Sequence, residues 1–282
     1  MRPKSLAKLL RERRRGSTAL ARLALDCFRE LAHTGMSGER LKKEVMRLGE
    51  ALSSARPSMP LVAKFSQEVV KRFSSSIGSG VDPRYALLKS CSSVEREYGV
   101  LVERLVSQAS KILSVYETVI TFSHSGTVVR ILASSTGVTR VIVLESRPML
   151  EGRLTARSLS RYKYVELLVD AAAGYGVQES DACIVGADAV FLDGSFAGKV
   201  GSLPLSLLCQ KFGRPFYVAC DLWKLCEKHG YVVEKGGPAE VWKARCGVKV
   251  RNPYFELVEP YLVTAYLTER GLIRSSDLAT AK

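Results

Sequence analysis

The chain has 282 residues, of which 46% are hydrophobic and 25% are charged, and its formal net charge is +14. This composition is typical of a globular protein and excludes a disordered chain, a collagen-like chain and a mini-protein. The sequence has no run of about 18 uncharged apolar residues that could cross a bilayer, and its first residues lack the apolar core of a signal peptide. We therefore expect a cytoplasmic protein without a membrane partner.

The positive charge is concentrated in the first half of the chain. Residues 1–114 contain 22 lysines and arginines against 11 acidic residues, whereas the remaining residues contain 20 against 17. The most basic segment is Met1–Gly16, which could attract phosphates or an acidic protein surface, although a solvated and partly frayed basic arm is an equally simple interpretation. Because no nucleic-acid-binding motif accompanies the charge, we do not expect a nucleic acid partner.

The first 114 residues are predicted to form a helical domain. Apolar residues recur at spacings of three and four in Leu20–Leu31 and in Leu41–Leu52, and Ser17 and Ser37 are placed to cap these two helices. A third helix is predicted from Leu61 to Phe73. The polar tract that follows it, 74–80, is predicted to be a loop, and a fourth helix is predicted from Asp82-Pro83 to about Leu113.

Residues 115–282 are predicted to form a second, α/β domain, because short β-branched runs alternate with helical stretches. This alternation is typical of a parallel sheet. The predicted strands are Thr118–Phe122, Arg140–Leu144, Tyr164–Val169, Ala182–Leu192 and Phe216–Cys220, and the predicted helices between them are Thr127–Ser134, Glu151–Ser160 and Leu203–Phe212.

The segment Ser123-His124-Ser125-Gly126-Thr127 follows the first predicted strand and begins a helix. Hydroxyl groups and unpaired backbone N–H groups at the positive end of a helix dipole can hold a phosphate. Ser125, Gly126 and Thr127 are therefore candidate ligand-binding residues. A serine that only caps the helix would give the same pattern.

Arg147 and Arg153 follow the second predicted strand. Their planar guanidinium groups are suited to bidentate phosphate binding. The neighbouring carboxylates of Glu145 and Glu151 could instead neutralise the arginines in plain ion pairs.

Asp188 and Lys199 are the candidate acid and base groups. Asp188 ends a very apolar predicted strand, and Lys199 precedes a predicted helix. A carboxylate at the carboxyl edge of a sheet, near a lysine, could perform acid–base chemistry on a phosphorylated substrate. An aspartate that only accepts hydrogen bonds from a turn is the alternative.

The sequence gives no indication of a metal or a cofactor. His33, His124 and His229 are isolated, so no spacing of metal ligands is present. The seven cysteines form no CxxC pair and lie mostly in apolar runs, which predicts buried structural thiols.

Several motifs in one order resemble the family that contains the alpha, beta and delta regulatory subunits of initiation factor 2B, ribose-1,5-bisphosphate isomerase and methylthioribose-1-phosphate isomerase. The resemblance extends from about Arg56 to Leu272. It rests on Arg56-Pro57-Ser58-Met59, Glu145-Ser146-Arg147-Pro148, Glu151-Gly152, Asp170-Ala171-Ala172, Gly186-Ala187-Asp188, Gly198-Lys199-Val200-Gly201, 215–219, 252–256 and Thr268-Glu269-Arg270-Gly271.

The resemblance implies an N-terminal helical domain, a Rossmann-like domain with a parallel sheet, and a homodimer or higher oligomer built through the sheet domain. The family's isomerases use a cysteine and the aspartate of Gly-Ala-Asp to convert an aldose 1-phosphate into a ketose. Asp188 matches that aspartate, but the cysteine position falls on Ser123, and Gly198 replaces an asparagine. A hydroxyl is a far weaker acid than a thiol, so the isomerase pair is broken here.

We therefore expect a non-catalytic regulatory protein that resembles initiation factor 2B, from an archaeal source. It would bind a phosphorylated small molecule through Ser123–Thr127, Arg147, Arg153, Asp188 and Lys199, and a protein partner, the alpha subunit of initiation factor 2. The alternative is an active sugar-phosphate isomerase of the ribose-1,5-bisphosphate type, in which Asp188 acts as acid and base and Ser123 or another group replaces the thiol.

Overall fold

A computed structural model of the chain describes residues 3–12, 16–228, 231–243 and 246–281. Five helices precede the first strand, and the described residues divide into two compact units between Leu101 and Val102, inside the fifth helix. The expected domain boundary at residues 114 and 115 lies at the end of that helix. The five helices are α1 (Lys4–Arg11), α2 (Ser17–Ala32), α3 (Gly38–Ala55), α4 (Pro60–Gly78) and α5 (Pro83–Leu113).

Helices α2 and α3 confirm the apolar faces that their spacing predicts. Leu20, Leu23, Ala24, Cys27 and Leu31 of α2 and Leu41, Val45, Leu48 and Leu52 of α3 are all buried. Burial of such a face against neighbouring helices supplies most of the stability of a helix in a protein.

Helix α4 is longer than predicted, because the tract 74–78 is helical and not a loop. Residues 74–77 are three serines and an isoleucine, and a helix can continue through them because none is glycine or proline. The helix ends where Gly80 adopts a φ of +81°, a conformation that glycine adopts without strain.

Residues Lys4–Arg11 form helix α1 and are not a frayed basic arm. Leu9 is fully buried. Glu30 Oε2 accepts a hydrogen bond from the Lys4 N–H at 2.6 Å, and Arg56 Nη1 donates to the carbonyls of Leu9 at 3.3 Å and Glu12 at 2.9 Å. Both ends of α1 therefore have side-chain partners for their backbone groups. The other basic residues of this segment, Arg2 and Arg13 to Arg15, lie outside the described residues, as does His229.

The second unit is built on a seven-stranded sheet, as the α/β prediction requires. Its strand order is β11-β10-β7-β4-β1-β2-β3, and all neighbouring strands are parallel except the β10–β11 pair. The strands are β1 (Thr118–Phe122), β2 (Arg140–Leu144), β3 (Tyr164–Leu168), β4 (Ala182–Gly186), β7 (Phe216–Ala219), β10 (Ala265–Thr268) and β11 (Gly271–Ile273). The helices of this unit are α6 (Gly126–Ser134), α7 (Gly152–Leu159), α8 (Ala173–Gln178), α9 (Ser202–Lys211) and α10 (Pro238–Val241).

The predicted strand Ala182–Leu192 is in fact two strands in two sheets. A separate four-stranded sheet has the order β8-β5-β6-β9 and consists of β5 (Ala189–Phe191), β6 (Phe196–Lys199), β8 (Leu225–Cys226) and β9 (Phe255–Val258). The chain passes from one sheet to the other at Ala187 and Asp188. Hydropathy alone does not show this break, because residues on both sides of it are buried.

Most cysteines are buried, as predicted, and all seven are free thiols. Cys226 is half-buried, and Cys246 is exposed, so the prediction of a buried thiol is wrong at that position. Burial raises the pKa of the Cys27 and Cys91 thiols to about 12, which keeps both protonated at neutral pH.

Across the described ranges, none of the helices has both the length and the hydropathy that crossing a membrane requires.

Candidate active site

The order of the strands places three loops at one edge of the seven-stranded sheet. The strand order reverses between β1 and β4, because β2 and β3 extend from β1 to one side and β7 and β10 from β4 to the other. The carboxyl ends of parallel strands meet at the same edge, and open α/β sheets bind ligands at such a reversal. Ser123 follows β1, Glu151 lies in the connection after β2, and Asp188 follows β4.

Ser123 has a φ of +64°, in the left-handed region that serine rarely occupies. Two hydrogen bonds hold it there. Its N–H donates to Ser146 Oγ at 2.8 Å, and its carbonyl accepts from Thr155 Oγ1 at 2.8 Å. Such a conformation costs about 1–3 kcal/mol and is typical of functional sites.

The Ser123 side chain is connected to Lys199 through Glu151. Ser123 Oγ donates to Glu151 Oε1 at 3.2 Å, and Lys199 Nζ lies 2.9 Å from the same oxygen. The Glu151 and Lys199 side chains are only 10% and 11% exposed. The other carboxylate oxygen, Glu151 Oε2, is buried and has no hydrogen-bond partner among the described residues. An uncompensated buried acceptor costs about 1–3 kcal/mol.

Gly152 explains why Glu151 reaches this edge of the sheet. A Cβ atom at this position would lie 1.9 Å from the carbonyl oxygen of Leu144, the last residue of β2. Only glycine allows α7 to begin directly against the end of β2. The Glu151-Gly152 pair of the sequence is therefore a carboxylate followed by the glycine that positions it.

Lys199 is fixed from a second side by Tyr254. Its ammonium nitrogen lies 5.0 Å from the centre of the Tyr254 ring, within the range of a cation–π interaction. The Tyr254 hydroxyl donates to Glu240 Oε2 at 2.5 Å, and Asn252 Nδ2 donates to the same oxygen at 2.8 Å. The segment that precedes β9 thus supports the lysine.

The N-terminus of α6 agrees with both interpretations of the Ser123–Thr127 segment, a helix cap and an anion-binding site. Ser125 is the N-cap, and its Oγ accepts from the Val128 N–H at 3.4 Å. The Gly126 and Thr127 N–H groups make no hydrogen bond to another described residue. Two donors at the positive end of a nine-residue helix therefore remain available to an anion.

The two candidate arginines have different surroundings. Arg153 is paired with Glu145 at 3.0 Å and its side chain is 57% exposed, in agreement with the plain ion pair. Arg147 makes no ion pair with a described residue, and its Nη2 donates only to the Val241 carbonyl at 3.4 Å. Of the two, Arg147 retains a charge that a ligand could use.

Asp188 lies at the passage between the two sheets and is partly buried. Its N–H donates to the Ala197 carbonyl at 3.0 Å, which fixes its backbone against β6. Burial, together with the charge of Asp188, raises the pKa of the Tyr231 hydroxyl, so the tyrosine stays protonated beside the carboxylate.

His124 is bound to Thr155 and not to the Ser123 hydroxyl. Thr155 Oγ1 donates its single proton to the Ser123 carbonyl and lies 2.9 Å from His124 Nδ1. Nδ1 must therefore carry a proton and donate it to Thr155. Within the described ranges, no group of three or more His, Cys, Asp or Glu side chains could hold a metal ion.

Residue spacing does not predict the role of Glu151, because it indicates only a carboxylate that could neutralise a neighbouring arginine. Its partner is Lys199, 48 positions further along the chain, and it belongs to the other sheet. The signal that could have found it is the glycine that follows it, since Gly152 lies where a Cβ atom would clash with the Leu144 carbonyl.

The fold and this edge of the sheet define the class of protein. The model of the initiation factor 2 subunit family matches residues 13–275, and the chain belongs to this family.

Among its relatives, a ribose 1,5-bisphosphate isomerase of Methanocaldococcus jannaschii is 27% identical and covers 92% of this chain and 87% of its own. A methylthioribose-1-phosphate isomerase of Geobacillus kaustophilus is 30% identical, with coverage of 94% and 81%. The crystal structure of a translation initiation factor eIF-2B of Pyrococcus horikoshii is similar with a TM-score of 0.84 at 26% identity, and covers 96% of each chain.

Proposed function

We propose that the chain is a sugar-phosphate aldose–ketose isomerase of the ribose-1,5-bisphosphate type. The observation that carries this proposal is the nearly buried Glu151–Lys199 pair, whose carboxylate also accepts from the Ser123 hydroxyl. A buried carboxylate and ammonium at the ligand-binding edge of a sheet are costly for stability and are typical of sites that move protons. Relatives that cover most of the chain carry the name of this activity.

The residues at the edge divide into two roles under this proposal. The Gly126 and Thr127 N–H groups at the start of α6, with Arg147, bind the phosphate, since the helix dipole and the guanidinium both favour an anion. Asp188 is the acid and base for the sugar oxygens. Arg153 has a minor role, because Glu145 already neutralises it.

The direct test is incubation of the purified protein with ribose 1,5-bisphosphate and detection of ribulose 1,5-bisphosphate. We expect turnover by the wild type and a loss of about 10²–10⁴-fold in Asp188→Asn, the usual contribution of one acid–base group. Asp193→Asn is the matched control, because this carboxylate is half-exposed and paired with Lys228. Absence of turnover with ribose 1,5-bisphosphate and with methylthioribose 1-phosphate would refute the proposal.

One observation favours a second candidate, a non-catalytic regulatory protein. Ser123 stands where the isomerases of the family have a thiol, and its hydroxyl is already bound to Glu151. This candidate predicts no turnover, binding of the sugar phosphate in calorimetry, and binding of the purified alpha subunit of initiation factor 2. It also predicts that Ser123→Cys gains turnover, since only the thiol would be missing.

We also propose that the chain forms a homodimer through its second unit. The sheet ends at β3, and three residues in and just after this strand are strongly exposed: Tyr164 at 67%, Leu167 at 45% and Val169 at 56%. Exposed apolar side chains on an open sheet edge favour association with another chain.

A further inference from the structure

The hydroxyl of Ser123 is poorly placed to transfer a proton by itself. Its proton already points to Glu151 Oε1, 3.2 Å away. An alcohol also holds its proton far more tightly than a thiol, so near neutral pH Ser123 does not exist as the base that the isomerase reaction requires. His124 Nδ1 is not an available base either, because it carries a proton and donates it to Thr155.

Glu151 has the features that Ser123 lacks. Its Oε1 accepts from both Ser123 and Lys199, so the carboxylate plane is held from two directions. Its Oε2 is the unsatisfied acceptor described above, and its side chain is nine-tenths buried. A buried acceptor without a partner in a native structure calls for an explanation, and a ligand that completes the site is one.

We propose that Glu151, through Oε2, is the catalytic base of this site, and that Ser123 and Lys199 are positioning residues that hold Oε1. The inference rests on the proposed isomerase function. Glutamate is chemically suited to the task, since triosephosphate isomerase moves a proton between neighbouring sugar carbons with a glutamate.

The proton transfer balances within the substrate. Glu151 takes the proton from C2, the electron pair of that bond forms the C1–C2 double bond, and the bond from C1 to the ring oxygen breaks. Asp188, which is protonated in the substrate complex, gives its proton to the ring oxygen. The C2 hydroxyl of the resulting enediol phosphate then returns a proton to Asp188, C2 becomes a carbonyl, and Glu151 delivers its proton to C1. The product is a ketose 1-phosphate, and both carboxyl groups end as they began.

Ser123→Ala and Glu151→Gln distinguish the two possible bases. If Glu151 is the base, Glu151→Gln lowers kcat for ribose 1,5-bisphosphate by about 10²–10⁴-fold with little change in KM. Ser123→Ala then lowers kcat by less than about tenfold, since a single hydrogen bond is lost. Glu145→Gln is the matched control, because Glu145 belongs to the same segment and also forms an ion pair, but with the exposed Arg153.

Two further measurements separate a base from a residue that only maintains the fold. The acidic limb of the kcat–pH profile reports the base in the bound complex and should disappear in Glu151→Gln but remain in Ser123→Ala. Exchange of the C2 hydrogen with deuterated solvent should be lost in Glu151→Gln, while calorimetry shows that the substrate still binds. If Glu151→Gln unfolds, Glu151→Asp retains the charge and should still lose kcat, because the carboxylate withdraws by one methylene.

The outcomes separate the two proposals. Two outcomes would overturn the assignment of Glu151 and leave the isomerase function intact, provided that the wild type turns over. In the first, Glu151→Gln is as active as the wild type. In the second, Ser123→Ala is inactive and Glu151→Gln is only mildly impaired. No turnover by the wild type overturns both.

Discussion

At the scale of single residues, His124 offers a test of the site that requires no substrate. Burial lowers the pKa of its imidazole, and the nearby negative charge of Glu151 only partly opposes this effect. We expect a neutral ring at pH 7 with its proton on Nδ1, the form that donates to Thr155. Nitrogen-15 NMR of labelled histidine should show this tautomer and a titration midpoint below about 6.5, the value of an unperturbed histidine.

The same shift predicts how stability depends on pH. Since the pKa of His124 is lower in the folded than in the unfolded chain, the unfolded chain binds the extra proton between the two values. The contribution of His124 to the free energy of unfolding is fully present above about pH 6.5 and is lost as the pH falls through the pKa of the folded state. The free energy of unfolding, measured with urea at several pH values, should therefore rise less steeply with pH in His124→Gln than in the wild type.

The sequence singles out Asp188 and Lys199 from local patterns, and Ser123 from the resemblance to the family. The structure brings Ser123 and Lys199 to the same carboxylate, that of Glu151. Glu151 was missed as the link between them, because the contact with Lys199 depends on how two sheets meet. Pairing between distant segments is set by tertiary packing, which residue spacing along one segment does not record.

At the scale of the elements, Gly152 determines where α7 begins. A Cβ atom there would lie 1.9 Å from the Leu144 carbonyl, so Gly152→Ala must push α7 away from β2 and move Glu151 with it. We expect a loss of about 3 kcal/mol or more in the free energy of unfolding, together with loss of turnover. Gly99→Ala in α5, where nothing lies within 4 Å of the new Cβ, should instead stabilise by about 0.5–1 kcal/mol. Equal effects of the two substitutions in urea unfolding would contradict this interpretation.

Glu256 of β9 caps α9 from another element. Its Oε1 accepts from the Gly201 N–H at 2.6 Å and the Leu203 N–H at 2.8 Å, so one carboxylate binds two unpaired donors of the helix N-terminus. Glu256→Ala should lower the free energy of unfolding by about 2–4 kcal/mol. Glu259→Ala, at an exposed position beside it, should change it by less than about 0.5 kcal/mol. A cost below about 1 kcal/mol for Glu256→Ala would show that the cap contributes little.

The elements themselves were predicted well where hydropathy has a clear period. The strands β1 and β2 and the helix α5 have the predicted bounds. Helices α2 and α3 contain their predicted apolar runs, although the N-cap of α2 is Gly16 and not Ser17. The four-stranded sheet was missed because its strands have two to four residues each, too few for a period to appear. Helix α1 was misinterpreted because its charge suggested an arm, whereas one buried leucine and the side chains of Glu30 and Arg56 hold it in place.

At the scale of the whole molecule, the proposed dimer depends on the open edge at β3. We expect the wild type to be a dimer in light scattering, and the double substitution Tyr164→Lys with Leu167→Lys to yield a folded monomer, since two charges on the edge oppose its pairing. Tyr261→Lys is the control, because Tyr261 is exposed as well, at 70%, but precedes β10, which lies on the opposite side of the sheet from β3. A dimer that survives the double substitution would place the interface elsewhere.

The passage of the chain between two sheets at Asp188 has a consequence for how this protein can change during evolution. The Asp188 N–H donates to the Ala197 carbonyl of β6. The position of the Asp188 carboxylate therefore depends on the register of the four-stranded sheet. Gain or loss of one codon in β5 or β6 would reverse the side-chain faces of the altered strand and displace the Asp188 carboxylate, and a change in β6 would displace Lys199 as well. The lineage of this chain should therefore tolerate length changes in the connections outside the small sheet but not in the nine residues from Ala189 to Ala197.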